Sequence, residues 1–463
     1  MVDILDAHPL IAIIYLGPLI YLFLSARIHR SSICLLGLLY IYIILVPFYY
    51  VRIDRSTLYM VALVKYIPFL VISFFFFKGL FPKKSISFYS KISGDKVFLY
   101  IGCIFAFQLI SLIGSSFPLD GFLKCIYYFF TGPILVYIVR EYVRNEREMR
   151  WLLTTIILSL ALSSLYGIYT FFIKTDPLYY QISLFYSDYL HITPDFIRPV
   201  FTLGNPTFAA TLFVCVIPIG VAYYMTAETY YEKYIILFAL VCITVGVIVS
   251  MTRIAYLALL SMFFLFPFIQ RNKLIHREFF LLVPIIGMIC LCLVWLNPET
   301  AQNASQFSMN RITSMFDHNI SDMNRIHLWR IAALMFSDSP VTGIGFGQYS
   351  QIMLGYLDSV TGNIGRVQVA DNMYLTTIVE VGIVGSVPVI LFLRYIFKNI
   401  RILLNESAQN RDERAILSAY TCSLAAFFIC MATWDVLNQP TNRIMFWTMI
   451  GLLQVKYRST VDS

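Results

Sequence analysis

Three arginines stand at the edges of long apolar runs: Arg198 in RPVFTLGNPTFAA, Arg253 in SMTRIAYLALL and Arg325 in NRIHLWRIAALMF, with Arg330 following in the last of these. Each has two readings. Carrying a guanidinium to the bilayer centre costs on the order of 2.5 to 3.5 kcal/mol, so an arginine beside an apolar helix ordinarily anchors at the interface. Several guanidinium groups on one side would instead suit an anionic ligand, because the planar fork binds phosphate oxygens in bidentate fashion. Arg253 fits the anchor reading least well, since its connection is only a few residues long, Thr252 is beside it and no acidic residue is near.

A carboxylate follows in VADNMYLTTIVEVGIVG. Asp371 and Asn372 both precede a helix expected to begin near Tyr374, and either side chain is a good N-cap. The chemical reading of Asp371 is a base at the lip of a membrane domain, able to take a proton from an attacking hydroxyl. Glu380 lies inside the apolar run that follows; nine residues from Asp371 it falls on roughly the opposite helix face and reads as structural. The glycine-rich GIGFGQ at 343–348 lacks the preceding strand and the glycine spacing of a nucleotide-binding loop and reads as a turn. The histidines show no metal spacing, and no metal or cofactor is expected.

The elements that must position these groups are set by composition. Of 463 residues 59% are hydrophobic and 13% charged, against roughly 25% charged in a soluble domain. The apolar residues are grouped into stretches near the ~20 residues that cross a bilayer as a helix. Lipid is therefore the main solvent. The net charge of +8 lies in short Lys and Arg clusters between apolar segments, the pattern of cytoplasmic loops rather than of a nucleic-acid-binding face. The nine cysteines fall inside apolar stretches and imply no disulfide framework. The N-terminus, MVDILDAHPL, carries acidic residues where a signal peptide is basic, so no cleavage is expected.

Hydropathy places membrane segments near 9–26, 31–50, 57–77, 97–114, 120–139, 151–173, 207–225, 234–251, 254–269, 279–296, 374–396, 415–433 and 441–455. The fold class read from this is all-α, a polytopic membrane protein with about 12–13 transmembrane helices and one large helical extracytoplasmic loop. Four regions follow: 1–173, N-terminal segments; 174–296, central segments with an outer loop at 174–206; 297–373, the large outer loop; 374–463, C-terminal segments. Lys and Arg concentrate in alternate connections, which puts the two long loops outside and the C-terminus inside. The large loop contains an amphipathic stretch from Arg325 to Phe336 and is expected to form one or two helices.

Over roughly 195–390 the chain resembles the bacterial O-antigen ligase and O-antigen polymerase superfamily. The resemblance is carried by RPVFTLGNPTFAA, SMTRIAYLA, NRIHLWRIAALMFSDSPVTGIGFGQY and DNMYLTTIVEVGIVG, in that order around a large outer loop. It implies a metal-independent glycosyltransferase in the bacterial cytoplasmic membrane that moves glycan from undecaprenyl diphosphate to a hydroxyl acceptor on the outer face. On that resemblance Arg253 and Arg325 would hold the diphosphate leaving group and, with Asp371, form the catalytic set. Arg198, Arg330, Asn372 and Tyr374 would contact substrate. The implied partners are an undecaprenyl-diphosphate-linked glycan, an acceptor glycan or lipid, the membrane and other glycan-assembly proteins, but no nucleic acid. Ligases of the superfamily carry His immediately before this Asn, and here the residue is Asp371, which favours a polymerase or exopolysaccharide-type relative. A ligase transferring to lipid A core stays open as an alternative. So does a different class, a flippase or small-solute transporter, although transporters tend to show paired repeats and interrupted helices at mid-membrane.

Overall fold

The computed structural model of the chain describes residues 32–45, 96–174, 198–270, 320–359, 370–407 and 409–461. In chain order its helices are α1 (Ser32–Leu45), α2 (Lys96–Ile110), α3 (Pro118–Phe130), α4 (Ile134–Tyr142), α5 (Glu146–Ile173), α6 (Pro206–Met225) and α7 (Tyr230–Val249). They continue with α8 (Arg253–Gln270), α9 (Ile320–Asp338), α10 (Tyr349–Ile352), α11 (Met373–Glu406), α12 (Arg411–Met431) and α13 (Pro440–Val461). Short 3-10 turns occupy Met353–Ser359 and Val436–Asn438. No strand occurs among the described residues. Seven stretches among them are long and apolar enough to span a bilayer: α3 with α4, α5, α6, α7, α8, α11 and α12. The protein is an all-α, multi-pass membrane protein.

The expected segments near 9–26, 57–77 and 279–296 lie outside the described residues. The last expected segment is helical as α13 but is not among those seven; it buries Asn442, Arg443 and Gln454, which an apolar span would not carry. The helical character expected of the large loop is found in α9, α10 and the turn after it.

The described helices fall into two compact units. The first contains α1, α5, α6, α7, α8 and most of α12. Its starts are capped as the sequence dictates. Asn145 caps α5 by accepting from the Glu148 N–H, Asn205 caps α6 by accepting from the Thr207 N–H ahead of a first-turn proline, and Thr229 caps α7. Small residues allow close approach: Gly167 of α5 lies against the Phe201 ring of the turn before α6, and Gly246 of α7 against Ser164 of α5. Arg150 of α5 ties the turn between α6 and α7, bonding Glu232 and the Thr226 carbonyl and hydroxyl. Helix α8 keeps Leu257, Leu260, Phe264 and Phe268 exposed, a surface suited to lipid.

The second unit contains α2, α3, most of α4, α9, α10, α11 and α13. Helix α11 is its organiser, packing on α2, α9 and α13. Its run is broken at Gly382, which has φ 67° and ψ −173°. In a continuous helix the N–H groups of Ile383 and Val384 would bond the carbonyls of Val379 and Glu380. Here the segment Pro340–Gly345 takes both ends of both bonds. Ile344 N–H donates to the Val379 carbonyl at 3.0 Å and Gly345 N–H to the Glu380 carbonyl at 3.0 Å, while Ile383 and Val384 donate to the carbonyls of Pro340 and Val341 at 2.9 and 3.2 Å. A break inside an apolar helix is thus left with no unmet backbone group at these four positions.

Candidate functional site

The seam just described explains why GIGFGQ has its glycines. A Cβ on Gly343 would lie 2.3 Å from the Glu380 carbonyl oxygen, and one on Gly382 would lie 2.3 Å from that of Val341; both residues also have positive φ. The turn is then fastened at its far end by Gln348, whose side-chain N–H groups donate to the Ser115 hydroxyl and the Phe117 carbonyl, both at 2.9 Å. Ser111 accepts from the Phe346 N–H and Lys124 donates to the Gly347 carbonyl. Glu380, 7% exposed, accepts from the Tyr349 N–H at 3.3 Å.

This fastening fixes α9, α10 and the start of α11 around one apolar cluster that includes Leu328, Ile331, Met335, Ile344, Tyr349 and Ala370. Two polar side chains emerge at its edge. Arg325 of α9 places Nε 3.8 Å from Oδ2 of Asp371, with 38% and 30% of the two side chains exposed. The backbone of Asp371 is left-handed, φ 49°, and the residue before it, Ala370, is wholly buried. The cap of α11 is Asn372, whose Oδ1 accepts from the N–H groups of Tyr374 at 3.0 Å and Leu375 at 3.2 Å. Of the two residues competent to cap, Asn372 does so, and Asp371 is turned out of that role toward Arg325. Burial raises the Asp371 carboxyl above its ordinary value, and the Arg325 guanidinium opposes the rise.

The other expected site residues separate. Tyr374 donates its hydroxyl to the Phe428 carbonyl at 2.9 Å, a tie within the second unit. Arg330 is exposed and, five residues beyond Arg325, lies on a different side of α9. Arg198 belongs to the first unit and is 6% exposed. Its Nε donates to the Ser250 carbonyl at 2.8 Å and its Nη2 to the Thr252 hydroxyl at 3.0 Å. It thereby holds the SMTR connection, in which Met251 has φ 50°, in shape ahead of α8. Arg253, also in the first unit, opens α8 half-buried, and its side chain makes no ion pair or hydrogen bond with the described residues.

One acidic residue was missed in the sequence. Asp435, between α12 and α13, is 4% exposed, and its Oδ1 accepts from the Thr376 hydroxyl of α11 at 2.7 Å. Burial pushes it up to about 7, the Thr376 hydrogen bond opposes this and the Asp371 charge adds to it. The available signal was an Asp between Trp434 and Val436 in an otherwise apolar stretch. Tyr349 lies within electrostatic reach of Asp435, Glu380 and Asp371, and burial raises its phenol first, the three carboxylates following. No group of three or more His, Cys, Asp or Glu side chains that could hold a metal occurs among the described residues.

An all-helical multi-pass membrane protein with an arginine–aspartate pair at the start of a broken helix is the class that these observations define. Residues 238–390 match the family model described as O-antigen ligase. This portion holds Arg253, Arg325, Asp371 and the break at Gly382 but not Arg198 or Asp435, and the match supports a likeness to the O-antigen ligase and polymerase superfamily and a ligase- or polymerase-type function. A comparison with curated proteins gives no match.

Proposed function

We propose that the protein extends a polyprenyl-diphosphate-linked glycan in the bacterial cytoplasmic membrane, acting as a polymerase. The observation that carries this reading is the release of Asp371 from helix capping and its pairing with Arg325. The acceptor glycan hydroxyl gives its proton to an Asp371 carboxylate oxygen as its oxygen attacks the anomeric carbon of the donor. The bond from that carbon to the diphosphate oxygen breaks, and the electron pair leaves with the diphosphate. Arg325 balances the charge that develops on the leaving group.

Arg325 serves twice in this scheme. Without substrate it neutralises Asp371 and holds down its basicity. A bound diphosphate competes for the same guanidinium, so the base is strengthened when a donor is in place. An unperturbed Asp, at ~3.9, is a weak base, and burial supplies part of the correction.

A broken membrane helix is also a feature of transporters, where the exposed helix ends face the solute. Here the ends at Gly382 are occupied by the Pro340–Gly345 backbone, which favours the transferase. The purified protein, supplied with lipid-linked oligosaccharide alone, is expected to yield a ladder of longer lipid-linked chains. Uptake of glycan into sealed vesicles with no extension would overturn the proposal, and transfer only to added lipid A core would make the protein a ligase.

A further inference from the structure

Asp435 is buried, yet only one of its carboxylate oxygens is satisfied. Oδ1 accepts a hydrogen bond from the Thr376 hydroxyl, whereas Oδ2 has no hydrogen-bond partner among the described residues. A buried carboxylate oxygen without a donor is costly when ionised. The group is also precisely anchored relative to Asp371 through the chain: Thr376 N–H bonds the Asn372 carbonyl at 3.0 Å, so the hydroxyl that holds Asp435 belongs to the first turn after Asp371. The charge that acts on Asp435 is that of Asp371, and Asp435 acts in turn on Glu380; the Tyr349 phenol is in reach of all three carboxylates, Arg325 faces Asp371, and the buried Arg443 of α13 donates to the Leu437 carbonyl of the same turn at 3.1 Å.

We infer that Asp435 is a positioning residue for Asp371: a second carboxyl, held near it by Thr376, whose charge governs how readily Asp371 takes up a proton. The inference rests on the reading of Asp371 as the base. Coupling between two carboxyls is reciprocal, so the pair titrates as a unit rather than as two independent groups. With Asp435 ionised, Asp371 gains proton affinity. When Asp435 carries a proton on Oδ2, Asp371 loses that help, and Arg325 dominates it. Burial pushes Asp435 up to about 7, which lets this exchange operate near neutral pH.

Infrared titration of the purified protein tests the pair without any glycan. Measured in a Glu380→Gln background, which keeps an acceptor for the Tyr349 N–H and silences the other buried carboxyl of the unit, the protein is expected to show a protonated-carboxyl band that disappears through neutral pH. Asp435→Asn should remove that band while keeping the Thr376 hydrogen bond, and Asp371→Asn should move its midpoint to lower pH by removing a neighbouring negative charge. Thr376→Val, nearly isosteric, should move it to higher pH. In glycan extension, Asp435→Asn should shift the acidic limb of the pH profile to lower pH, and lower the plateau turnover by roughly threefold to tenfold with KM unchanged. Persistence of the band in Asp435→Asn, an unmoved midpoint in Asp371→Asn, or an unaltered pH profile would each overturn the inference. A coupled infrared titration in a protein that extends no glycan would preserve the pair and discard the polymerase reading.

Discussion

Arg198 and Arg325 look alike in the sequence, each an arginine beside an apolar run, but their two units use them in opposite ways. In the first unit the Arg198 guanidinium is buried and spent on a backbone carbonyl and a hydroxyl of the connection leading to α8. In the second, Arg325 is more than a third exposed and faces a carboxylate at 3.8 Å, beyond ordinary hydrogen-bond length. A guanidinium that completes the backbone is part of the scaffold, whereas one loosely matched to a side chain can be taken over by a stronger anion. Burial and partner chemistry, not position beside a membrane helix, separate the anchor from the candidate ligand.

The largest effect that would sharpen this contrast is expected at the partner of Arg325. Asp371→Asn should reduce glycan extension by ~10² or more, in line with general-base contributions of ~10² to 10⁴, with the unfolding temperature in detergent unchanged because Asn372 provides the cap. Turnover near that of the native protein would remove Asp371 from the mechanism. Arg325→Lys should follow with a loss of roughly tenfold to a hundredfold, since an ammonium cannot reproduce the bidentate fork; its yield of folded protein should match the native one. Arg198→Ala should behave in the reverse manner. Losing hydrogen bonds from a charged group costs about 2 to 3 kcal/mol of stability, so less folded protein should be recovered while each folded molecule works at nearly full rate. A full-yield Arg198→Ala protein without activity would break the comparison.

Most of the helical plan could be read from hydropathy, because lipid imposes length and internal hydrogen bonding on every span. Of the three residues that the resemblance groups, Arg253, Arg325 and Asp371, the structure brings Arg325 and Asp371 together, and nothing in their spacing determined the distance. The choice between Asp371 and Asn372 as cap was not readable, since both types cap well and the decision came from burial of Ala370 and the left-handed turn that follows it. The break at Gly382 was hidden for another reason. Glycine is common in membrane helices, and the partner that makes this one a break lies about forty residues upstream in the chain. Asp435 was hidden because its significance depends on Thr376, which the sequence places far away.

The stitched break has a consequence for how such proteins can be recombined. The Pro340–Gly345 strip and the 379–384 stretch of α11 exchange backbone groups across a gap that admits no side chain on Gly343 or Gly382. They form a single indivisible cassette. A chimaera that grafts the large loop of a relative onto this scaffold must carry the start of the following helix along with it, through at least Val384, or the transplanted loop will have no slot to enter.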